Sequence, residues 1–256
     1  MITLMKYQTS WKTDFEEEKD SLFNLGLSNI VKIEHIGSTA VPGMSAKPVI
    51  DILIGVKDLN KFTTENVNRI ESLGYRYNPV FEKIFPFRRY FQKENILDVR
   101  THQIHLVNYP SQWYEKHILF RDYLRGHPQC AKEYEALKIK LAKQFDNTID
   151  YANAKNDFCQ EIDKKAFMDF NVNRPLIENE RLLGFIPQLV CHYDYAKMLQ
   201  DVEFCKAYGV AYTFDEALLR LESDITHWNQ YAFAPWMWYE KKTHTYLGRG
   251  GLKLFK

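Results

Sequence analysis

The chain has 256 residues, and 34 Lys and Arg against 33 Asp and Glu leave a formal net charge of +1. With 45% hydrophobic and 26% charged residues, it is too apolar and too neutral for intrinsic disorder, and no run reaches the roughly 20 apolar residues of a membrane-spanning helix. Near-neutrality removes the bulk attraction to nucleic acid or an anionic membrane, and residues 1–8 lack a signal peptide's apolar segment, so a cytoplasmic protein is expected.

Residues 11–25 read as an amphipathic helix, with Phe15, Leu22 and Phe23 on or near one face. Strands at 31–36 and 48–56 follow, separated by a loop carrying Gly37, Pro42 and Gly43. The run Val49-Ile50-Asp51-Ile52-Leu53-Ile54 has the pattern of a central strand covered on both faces. Its one carboxylate stands out, because an unpaired buried charge is expensive. A helix over 60–73 is stopped by Gly74, and 90–92 and 101–107 read as further strands. From there the period lengthens. Helices are predicted over 113–124, from Pro128 along the stripe Ala131, Tyr134, Leu137, Leu141 and Phe145, and over 149–167. Strands followed by helices define an α+β unit over residues 1–169.

Residues 170–177, polar and carrying Pro175, read as a linker to a second unit, 178–256. There a short strand falls within 181–190 and a helical turn over 193–199. Thr213-Phe214-Asp215-Glu216 forms a capping box opening a helix with Leu218, Leu221, Ile225 and Trp228 on its apolar face. Segments 236–240 and 246–255 resemble a hairpin. One helical region and about three strands make a thin core, so this unit reads as incomplete. An exposed strand edge at 247–255 is expected, a candidate surface for homo-oligomerisation. Cys130, Cys159, Cys191 and Cys205 are scattered, which argues against a disulfide framework or structural zinc.

The densest chemistry is Glu34-His35-Ile36-Gly37-Ser38-Thr39-Ala40-Val41-Pro42-Gly43, then Lys47-Pro48 and the Asp51 strand. A strand ending in Gly-Ser lets backbone N–H groups approach an anion, and Ser adds a hydroxyl donor. A carboxylate on the next strand can hold Mg²⁺, which prefers oxygen ligands and bridges to phosphate. Asp51 can equally be a loop-capping or Arg-paired carboxylate, and Gly37-Ser38 a tight turn. His35 and His105 are read as structural or site groups. Two or three of Lys47, Arg88, Arg89, Arg100 and Arg121 are expected to face one anion. Strand alternation places Thr101, Gln103 and His105 on one face and Arg100 and His102 on the other. Tyr151 and Lys155 are explained by core packing and a solvated charge.

The same residues, with Ala46-Lys47-Pro48-Val49-Ile50-Asp51-Ile52, resemble the signature of the GrpB family in the nucleotidyltransferase-fold superfamily. The likeness continues through Phe87-Arg88-Arg89-Tyr90-Phe91, Arg100-Thr101-His102, Ile104-His105-Leu106-Val107 and Leu119-Phe120-Arg121-Asp122-Tyr123-Leu124-Arg125, and on to Tyr151, Lys155 and Phe158. It implies a nucleotidyltransferase-like mixed sheet with flanking helices. It also implies a nucleotide or CoA-type phosphate ligand at Gly37, Ser38, Thr39, Lys47, Arg88, Arg89 and Arg100, and catalysis, where it occurs, at Asp51 and Ser38. Some members are joined to dephospho-CoA kinase. The superfamily pattern is Asp-hydrophobic-Asp, and Leu53 stands where the second Asp belongs, so two-metal chemistry is in question and Glu34, Asp98 or His105 would have to complete a Mg²⁺ site.

From Glu178 onward the chain resembles the first portion of a GNAT acetyltransferase, through Glu180-Arg181-Leu182-Leu183, Tyr212-Thr213, His227-Trp228, Trp236, Trp238 and Leu247-Gly248-Arg249-Gly250-Gly251-Leu252. That family's acetyl-CoA loop follows these strands, and Gly248-Arg249-Gly250-Gly251 fits the hairpin better, so acetyltransferase activity is not expected. Three readings result: a nucleotidyltransferase-like enzyme, a non-catalytic binding module, or an acetyltransferase fusion broken by truncation, which turns on whether the encoding gene continues past Lys256 in another frame.

Overall fold

The computed structural model describes residues 2–27, 29–83, 85–171 and 177–254. Cα packing divides the chain into two compact units, Met1–Cys159 and Gln160–Lys256.

In the first unit, helix α1 (Ser10–Asn24) buries Trp11, Phe15, Glu18 and Leu22, which recur at helical spacing on one face. Strands β1 (Ile30–Ile36) and β2 (Ile50–Val56) follow. Helix α2 (Thr64–Glu71) is shorter than expected, because Thr63 caps it in a reciprocal box with Asn66 and residues 59–61 form a separate 3-10 turn. Beyond α2 lie β3 (Tyr75–Tyr77), β4 (Arg88–Glu94) and β5 (Arg100–Asn108). The sheet order is β1-β2-β5-β4-β3, with β2 and β5 parallel and the other pairs antiparallel.

The sheet is covered on both faces. On one, Ile50, Ile52, Ile54, Phe91, Ile104 and Leu106 pack with Trp11, Phe15, Leu22 and Ile70. On the other, Ile36, Leu53 and Val107 pack against Tyr114 of helix α3 (Gln112–Gly126). Each fully buried aliphatic side chain contributes about 1.5–3 kcal/mol, so Asp51 stands in one of the most strongly driven strands of the fold. Helix α4 (Pro128–Ala142) opens on Pro128 as expected. The single helix read over 149–167 is two, α5 (Thr148–Asn153) and α6 (Asn156–Asn171). The run Asn153-Ala154-Lys155-Asn156-Asp157 favours turns over helix, and Asn147 caps α5.

The second unit holds β6 (Ile177–Glu178), β7 (Leu182–Phe185), α7 (His192–Leu199), α8 (Val202–Tyr208), α9 (Phe214–Tyr231), β8 (Trp236–Glu240) and β9 (Tyr246–Gly250). They form an antiparallel sheet in the order β6-β7-β8-β9, with β9 outermost. The Thr213–Glu216 capping box opens α9 as read. Phe167 and Met168 of α6 join Leu183, Phe185, Tyr195, Leu221, Met237 and Tyr239 in its core. Three helices fill this core where one helical region was expected. Gly248, Arg249 and Gly250 lie in β9. Of the expected linker, residues 172–176 lie outside the described residues, as does Phe255 of the expected edge. Both units mix helices with sheet, the α+β class. Among the described residues no helix is long and apolar enough to cross a membrane.

Candidate functional site

At Gly37 the backbone takes φ 72° and ψ −172°, a conformation almost confined to glycine. A Cβ there would fall inside the Asp51 carboxylate. The anion that the missing Cβ admits is therefore the chain's own. Residues 38–40 then make a 3-10 turn. Thr39 Oγ1 donates to the Val49 carbonyl at 3.2 Å, and His35 Nε2 lies 3.0 Å from the same hydroxyl. With the Thr39 proton spent on Val49, His35 donates, as its neutral Nε2–H form. Burial and the nearby Arg125 and Arg121 charges push the His35 pKa down to about 4.

Asp51 pairs with Gln103 across the parallel β2–β5 ladder. Gln103 Nε2 donates to Asp51 Oδ1, Tyr90 OH donates to Gln103 Oε1 at 2.7 Å, and Arg100 Nη1 donates to Tyr90 OH at 3.4 Å. Every donor in this relay points toward the carboxylate. Burial raises the Asp51 pKa to about 6, against the Gln103 hydrogen bond and the charges of Lys155, Arg100 and Lys47.

Regular alternation would turn Arg100 to the face opposite Gln103, and the structure corrects this. Gln92 pairs with Gln103 and Lys93 with His102, but Glu94 pairs with Arg100. Thr101 is thus an extra residue in a β-bulge, and the slip returns Arg100 to the Gln103 side.

Over this face opens a cavity of about 600 Å³, lined by Ser38, Thr39, Lys47, Asp51, Arg100, Gln103, Lys138, Tyr151 and Lys155 among others. The Lys47 and Lys155 ammonium groups lie 4.6 and 4.4 Å from the Tyr151 ring centroid. Lys138 is only 2% exposed, and its Nζ donates to the Ser45 carbonyl at 2.6 Å. Among the described residues none of the three lysines lies within salt-bridge distance of a carboxylate. Burial lowers all three pKa values, that of Lys138 to about 7, and the Lys155 charge adds to the lowering at Lys47 and Lys138. Glu94 and Asp98 also line the cavity, and Glu94 accepts from Arg76 at 3.3 Å.

The other residues singled out from the sequence lie elsewhere. Arg88 donates to His105 Nδ1 at 3.2 Å and is ringed by Phe81, Phe85, Tyr90 and Trp113. Arg89 pairs with Glu82 at 2.8 Å. Glu34 takes Arg121 at 2.8 Å and lines a separate cavity of about 430 Å³. Leu53, two residues past Asp51, is fully buried against the α3 side. Among the described residues no three His, Cys, Asp or Glu side chains converge as a metal-holding group. Asp51 itself already holds Gln103 and faces the charges of Lys155, Arg100 and Lys47.

Among the pocket residues, Gln103, Tyr151 and Lys155 were noted in the sequence without a place in the site, and Lys138 was not singled out. Lys138 did leave a trace: it stands on the buried stripe of α4 between Tyr134 and Leu141, where a lysine is out of place.

Fold and site together define an α+β protein with a basic pocket built over one acidic strand of a mixed sheet. The chain belongs to the GrpB protein family, which it matches over residues 1–165. It is 36% identical over 164 residues to the glutamate-rich protein GrpB of Alkalihalophilus pseudofirmus, covering 63% of this chain and 93% of that protein. It is 37% identical over 166 residues to the UPF0157 protein YqkA of Bacillus subtilis, covering 64% of this chain but only 47% of that relative's length. The crystal structure of the conserved protein GrpB from Enterococcus faecalis superposes with a TM-score of 0.59 at 36% identity, covering 66% of this chain and 99% of that one.

Proposed function

We propose that the first unit binds a phosphate-bearing small molecule, a nucleotide or CoA-type ligand, in the cavity over Asp51. The observation that carries this reading is the convergence of Lys47, Arg100, Lys138 and Lys155 on one cavity that Ser38 and Thr39 also line. Burying several cations together is unfavourable unless an anion joins them, and lysine and arginine are the common phosphate partners. Nucleotidyl transfer, with Asp51 and Ser38 at the reacting centre, is the second reading. The buried Leu53 favours the binding module over it, since active nucleotidyltransferases carry a carboxylate there.

Thermal unfolding of the full chain with ATP, CTP, GTP, UTP and CoA tests this. A ligand at a hundred times its dissociation constant adds about 2.7 kcal/mol, a clear rise in midpoint. The rise is expected with at least one of these ligands and is expected to disappear in a Lys47→Gln, Lys155→Gln double variant. No rise with any of them would refute the reading. Turnover abolished by Asp51→Ala would instead establish the second one.

A further inference from the structure

Resting on that reading, we infer that the pocket takes its phosphate ligand free of divalent metal, with the lysines standing where metal charge would otherwise be supplied. Three observations carry it. Asp51 has no carboxylate partner on its strand, because Leu53 is packed into the core. Glu34 is committed to Arg121, and His105 receives the Arg88 guanidinium. Lys47 and Lys155 share the Tyr151 ring, and the buried Lys138 ammonium has three N–H donors, of which Ser45 O takes one. A divalent ion entering here meets lysine charge, and although Asp51, Glu94 and Asp98 all line the cavity, among the described residues they do not converge as a group of three that could hold it. A bare polyphosphate meets donors. Asp51 on this account is the carboxylate set among the lysines and competes with the ligand rather than recruiting it.

Isothermal titration of the full chain with ATP and with inorganic tripolyphosphate, once in EDTA and once in saturating Mg²⁺, tests the inference. Binding is expected in EDTA, weakened at least about tenfold by Mg²⁺, because the ion neutralises the ligand that the lysines read. Asp51→Asn, which keeps the oxygen that accepts from Gln103, is expected to tighten binding in EDTA. A metal site predicts the opposite on both counts. Binding only with Mg²⁺, or lost in Asp51→Asn, overturns the inference while leaving phosphate binding intact. No binding of either probe in either buffer removes the reading under Proposed function and this inference with it.

Discussion

Gly37 and Asp51 constrain one another more tightly than their separation in the chain suggests. An alanine at 37 would meet both an unfavourable backbone conformation, worth about 1–3 kcal/mol, and the Asp51 carboxylate. Gly37→Ala is therefore expected to lower the urea midpoint, and to cost less when Asp51→Ala is already present, with a coupling of about 0.5–3 kcal/mol. Strict additivity in that cycle would show that the carboxylate is not what excludes the side chain. This pair was legible in the sequence, since an acid within an apolar strand and a Gly-Ser at a strand end are both local signals. Of the pocket lysines, Lys47 was legible as well, but two were not. Lys138 arrives from α4 and Lys155 from the turn between α5 and α6, about 90 and 100 residues further on, and only the tertiary fold brings them over β2. Arg88 and Arg89 carried as much local promise as Arg100, yet aromatic rings and Glu82 hold them away.

At the scale of elements, periodicity found the long helices and the central strands, and it failed where a local hydrogen bond or a slip in register overrode it. β3 has three residues and is too short to show alternation. The bulge at Thr101 inverts the expected side of Arg100 without any change in composition. Caps were more faithful than periods. Thr213 accepts from the Glu216 amide and Glu216 Oε2 receives the Thr213 N–H, closing both ends of the box. Thr213 is exposed, so Thr213→Ala removes little beyond this box. It is expected to destabilise the second unit by about 1 kcal/mol. Chemical denaturation followed by circular dichroism measures it, and an unchanged midpoint would mean that α9 is held by packing alone.

For the molecule as a whole, the sequence conveyed two α+β units but not where the chain passes between them. A polar, proline-bearing stretch suggested a linker at 170–177, whereas packing divides at Cys159/Gln160, inside α6. Composition marks where a chain can be loose, and contacts mark which core a helix serves. The buried lysine of α4 carries a further consequence. In the fold Lys138 loses its proton near pH 7, against 10.5 when unburied. An anion bound beside it stabilises the charged form and raises that pKa again. Affinity should then fall as pH rises through 7 and beyond. Near pH 7 each binding event should draw up to about half a proton from solution. Titration heats in phosphate-free buffers of different ionisation enthalpy should diverge accordingly, and identical heats would show that Lys138 does not sense the ligand. The pocket would then be a proton acceptor as well as a receptor, its occupancy tied to the acidity of its surroundings through one almost wholly buried side chain.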